Sequence, residues 1–66
     1  MMRTMKINQT KLKEIMDLNS KTVTSISKET GCSVALVSWA LKHASKYETI
    51  KRVVEWIGAE KVEDIV

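Results

Sequence analysis

Thr22, Ser33 and Ser38, together with Lys21, Lys42, His43 and Lys46, carry the chemistry this chain is best equipped to do. Each can donate a hydrogen bond to an anionic oxygen, and the lysines add charge. Hydroxyls where helices begin, with cations at their edges, suit a surface for phosphates. Between them, Val34, Ala35 and Trp39 offer apolar and aromatic contact. Covalent chemistry finds little support. Ser38 and His43 have the types of a nucleophile and a base, but no acid stands in clear register to orient the imidazole, so an enzyme is not expected. A single Cys and a single His give no metal-ligand spacing. Neither cofactor nor metal nor small-molecule substrate is implied.

These side chains cluster in residues 22–42, TVTSISKETGCSVALVSWALK, which read as two short helices parted by a turn at Gly31-Cys32-Ser33. Ile26, Cys32 and Val37 fall on the inward side, and the small Ser27 sits where the two helices must approach. Gly31 supplies positive φ at the bend without steric cost. Cys32 reads as a small buried hydrophobe. This spacing predicts a helix-turn-helix, a motif whose second helix is normally laid into the DNA major groove. Ser33 would be the N-cap of that second helix, and Thr22 the N-cap of the first, accepting from backbone N–H groups near Ser25.

The rest of the chain must position that unit. A first helix is expected from about Gln9 to Leu18, with Leu12, Ile15 and Met16 as its buried stripe and Asn8 or Thr10 as its cap. Asn19-Ser20 ends it, Asn19 being tolerant of the left-handed conformation. The second helix covers Val23 to Thr30 with Val23 and Ile26 inward; the third runs to Leu41 or Lys42 with Val37, Ala40 and Leu41 inward. His43 would stand at its exposed end. Ser45 or Lys46 opens a fourth, about Tyr47 to Ile57, whose stripe is Ile50, Val53, Val54 and Ile57, stopped by Gly58. A short fifth is expected over Glu60 to Ile65. Residues 1–8 are expected as a flexible arm, with Met5 an alternative start of the folded part, and residues 9–66 as a single domain.

Composition sets limits on the function. Sixty-six residues allow one small core that buries about 60% of the unfolded surface, so a dimer partner would help stability. One Cys cannot form an internal disulfide, which fits a reducing, cytoplasmic setting. No apolar run approaches the ~20 residues that span a bilayer. Lys11 and Lys13 flank an apolar stripe in the first helix, but that stripe serves the core better than a membrane surface. Residues 1–54 hold ten Lys/Arg against four Asp/Glu, whereas residues 55–66 hold one Lys against four acids. A basic body with an acidic end points to one face turned toward a polyanion.

The pattern resembles the Cro/repressor-type helix-turn-helix proteins of phages and bacteria over about residues 9 to 65. The matching pieces are Leu12, Thr22, Ile26-Ser27, Gly31-Cys32-Ser33, Val37-Ser38, Tyr47-Glu48-Thr49-Ile50, and Ile57-Gly58-Ala59 followed by Val62 to Val66. The resemblance implies a compact all-α domain of five helices, frequent homodimers, and an operator bound by the third helix in a bacterial host's cytoplasm. It places Ser33, Val34, Ala35, Ser38 and Trp39 nearest the bases. Lys21, Thr22, Lys42, His43 and Lys46 would meet phosphates. Trp56 either packs as core or forms a homodimer patch with Val62 and Val66.

The reading helix departs from the family pattern. Many members carry Gln just after the cap of the second helix, where this chain has Val23. Arg, Lys, Asn and Gln, the usual partners of base edges, are absent between Ser33 and Leu41. Val34 and Ala35 can meet thymine methyl groups, and Ser33 and Ser38 can hydrogen-bond. A second expectation follows: the apolar face of this helix binds another protein, such as a repressor, as antirepressors and repression modulators do. Duplex DNA binding would weaken steeply with salt, and an apolar protein contact would not.

Overall fold

Asn8 starts the first helix by turning its side chain onto the exposed backbone: its Oδ1 accepts from the N–H groups of Thr10 and Lys11, both at 3.1 Å. The computed structural model describes residues 5–66; residues 1–4 of the expected arm lie outside the described residues. Four α-helices follow one another: α1 (Gln9–Leu18), α2 (Val23–Thr30), α3 (Val34–His43) and α4 (Tyr47–Ile57), with no strand among the described residues. A 3-10 turn, Val62–Asp64, stands where a fifth helix was expected. Val62 and Ile65 are both buried, and their spacing of three matches the three-residue period of that turn.

Each helix leans on the same core. Ile26 of α2, Val37 of α3, and Ile50, Val53 and Ile57 of α4 are fully shielded, with Ile65 beneath them. Leu12 is the buried residue of α1, while Ile15, Met16, Val23 and Cys32 are partly buried against that cluster. No helix among the described residues is long and apolar enough to cross a membrane.

Two local expectations change. Residues 5–8 are docked, because Met5 N–H donates to the Ser45 carbonyl at 3.1 Å, Asn8 N–H donates to the Ile65 carbonyl at 2.7 Å, and Ile7 is buried. The left-handed residue after α1 is Ser20, at φ 54°, and Asn19 stays at φ −96°. Asn19 is needed elsewhere: its Nδ2 donates to the Ile57 carbonyl at 2.8 Å and the Gly58 carbonyl at 3.3 Å, tying the end of α1 to the end of α4.

Candidate functional site

The bend between α2 and α3 is held from both sides. Thr22 Oγ1 accepts from Ser25 N–H at 3.1 Å, and Ser25 Oγ accepts from Thr22 N–H at 2.9 Å, a reciprocal cap at the start of α2. A cap of this kind contributes ~1 kcal/mol. Gly31 closes α2 at φ 75°, with its N–H donating to the Ser27 carbonyl at 2.9 Å. The Ser27 hydroxyl then reaches across the bend and donates to the Cys32 carbonyl. Ser33 caps α3 by accepting from Leu36 N–H at 3.1 Å. Both cap hydroxyls keep a hydrogen to donate outward. The start of α3 is therefore tied to the bend and capped by its own side chain.

On α3 the buried strip is Val37, Ala40 and Leu41. The opposite strip is Ala35, Trp39 and Lys42, at the i, i+4, i+7 spacing of one helix face. Val34 is 50% exposed, Trp39 55% and Leu36 51%. Leu36 was missed as a site residue, although an apolar residue off the buried strip was signal enough to find it. The Trp39 and His43 rings lie together, centroids 5.8 Å apart and tilted by 39°. Ser38, expected among the base-facing residues, is half-buried at the edge of α3 that faces α1.

The structure gathers part of the expected phosphate set. A groove of about 390 Å³ runs between α1, α2 and α3, with Leu12, Met16, Val23 and Leu41 in its walls and Lys13, Lys21, Lys42 and Asp17 also lining it. Lys13 was not foreseen on the same groove as Lys21 and Lys42, because only the placement of α1 against α3 brings it there. Gln9 joins them, its Nε2 donating to the Leu41 carbonyl at 3.0 Å. Lys21 is engaged already: its Nζ lies 3.1 and 3.0 Å from the two carboxylate oxygens of Glu29. This pair, partly open to water, contributes ~0–1 kcal/mol, weak enough for a phosphate to compete. Lys42 and Lys46 are exposed and have no ion pair among the described residues. Lys46 sits at the N-cap of α4 without a side-chain capping bond.

No family model, no curated protein and no solved structure matches this chain.

The expected dimer patch is divided by burial. Val62 is 6% exposed and belongs to the domain's own core, which removes it as a contact residue. Trp56 and Val66 are partly buried against that core and keep some surface. The spacing of apolar residues could not separate these cases, since Val62 and Val66 lie on the same short segment and only its docking decides which side faces inward.

Proposed function

We propose that this chain is a duplex-DNA-binding transcriptional regulator of the Cro/repressor type that lays α3 into the major groove. The observation carrying this reading is the outer surface of the α2–α3 unit. Two capped helix starts carry exposed hydroxyls, the first turn of α3 is uncharged, and Lys42 and Lys46, with no ion pair among the described residues, stand beyond it. Neutral groups would meet the bases while cations at the edge meet phosphates. Thr22, Ser33, Lys21, Lys42, Lys46 and His43 are the phosphate contacts of this reading; Val34, Ala35, Trp39 and the edge residue Ser38 are the base-facing ones. A homodimer through Trp56 and Val66, in the cytoplasm of a bacterial cell, completes it.

Selection from a random duplex pool near physiological salt tests the proposal. An enriched inverted repeat with half-sites about one helical turn apart supports a dimeric operator-binding protein. A pool that shows no retention at any salt concentration sinks it.

A second reading has its own observation. Trp39, Leu36 and Val34 are half exposed together on one short helix, and exposed aromatic anchors are typical of protein contacts. The chain would then act on another regulator by covering part of its surface. Salt separates the two: binding that persists unchanged as salt rises fourfold favours the protein partner.

A further inference from the structure

Resting on the DNA-binding reading, we propose that α3 recognises the C5-methyl groups of pyrimidines: thymine, and 5-methylcytosine in its place. The usual hydrogen-bonding readers of guanine and adenine are missing from Ser33 to Leu41. What the first turn presents is the half-exposed Val34 and the exposed Ala35, followed one turn later by Trp39. Each base pair in the major groove offers donors and acceptors, and the one apolar group among them is the thymine C5-methyl.

This asymmetry sorts sequences. An apolar side chain pressed on a base donor or acceptor strips it of water and leaves it unpaired, which is costly. Pressed on a methyl group, the same side chain buries apolar surface on both partners. Ala35 and Trp39 lie about 6 Å apart along the helix axis, close to two base steps of ~3.4 Å. Contacts two base pairs apart are thus within reach of one helix face.

The scaffold suits such contacts. The Ser33 cap fixes the first turn, so Val34 and Ala35 arrive already ordered. Charge argues for DNA as the occupant of this apolar face, since Lys42 continues the Ala35–Trp39 strip and has no acidic partner among the described residues.

The test uses four synthetic duplexes of equal length: alternating A/T, its A/U counterpart, alternating G/C, and the G/C duplex methylated at cytosine C5. Uracil differs from thymine only in lacking the methyl group, so pairing and backbone charge are unchanged. Affinity measured by anisotropy at fixed salt should fall about fourfold for every methyl contact removed in the A/U duplex. Methylating cytosine should raise it by a similar factor. Val34→Ser should reduce both differences while leaving the helical circular dichroism and the melting temperature in place. Equal, salt-sensitive affinity for all four duplexes overturns methyl recognition and leaves DNA binding standing. Failure to bind any of them at low salt overturns both, and leaves the apolar face of α3 to a protein.

Discussion

Helices α3 and α4 are nearly the same length, yet they treat water differently. On α4 the buried stripe of Ile50, Val53, Val54 and Ile57 is backed by Glu48, Lys51, Arg52 and Glu55, all exposed. Its amphipathic pattern is complete, and packing accounts for it. On α3 the buried Val37, Ala40 and Leu41 are backed by Val34, Ala35, Leu36 and Trp39, and the first charge comes only at Lys42. The core explains one face of α3 and has no use for the other. A scattered exposed apolar residue needs no explanation, but several along one short helix do.

The largest effect that bears on this contrast is a core truncation in α4. Ile57→Ala should cost about 2–5 kcal/mol, because Ile57 is fully shielded. Trp39→Ala on the outer face of α3 should stay within about 0.5 kcal/mol. Thermal melts of the two variants check this, and a Trp39 variant as unstable as the Ile57 one would make the outer face of α3 part of the core.

Next in size is a charge placed at the N-terminal end of the outer α3 strip. Ala35→Glu should reduce DNA affinity at least tenfold through repulsion from the phosphates, with an unchanged melting temperature. Retention of duplex by that variant would put α3 outside the groove.

The glycines that close α2 and α4 should also differ. At Gly31, φ 75°, an added Cβ would meet no atom within 4 Å, so Gly31→Ala should cost only the left-handed backbone penalty of about 1–2 kcal/mol. At Gly58, φ 79°, an added Cβ would fall 2.9 Å from Asn19 Nδ2, the atom that ties α1 to α4. Gly58→Ala should therefore melt lower than Gly31→Ala, and denaturation of both decides the ranking.

The smallest effect belongs to the cations. Lys46→Ala should weaken binding to every duplex alike and lower the slope of log affinity against log salt by about 0.9. An unchanged slope removes Lys46 from the phosphate set.

Much of this fold is local and could be read along the chain. The spans of α1, α2 and α4, the caps at Asn8, Thr22 and Ser33, and the left-handed Gly31 and Gly58 follow from neighbours a few residues apart. The candidate site was legible to the same depth. Ser33, Val34, Ala35 and Trp39 could be placed on the outward side because the period of α3 and its inward strip are set within ten residues. Three things were not legible: the end segment as a 3-10 turn, Ser38 at a groove edge, and Val62 as core. All depend on which surface a neighbouring element covers.

Sequence alone therefore determined where α1, α2 and α4 start and stop, which face of each turns inward, and that α3 has apolar residues to spare. Tertiary structure alone decided how residues far apart in the chain are used. It set Lys13 on one groove with Lys21 and Lys42, paired Lys21 with Glu29, spent Asn19 on the end of α4, and buried Val62 in the core. The physical reason is range: caps, turns and helix periodicity are settled within about one or two turns of chain, whereas burial and ion pairing depend on distances through space that only packing defines.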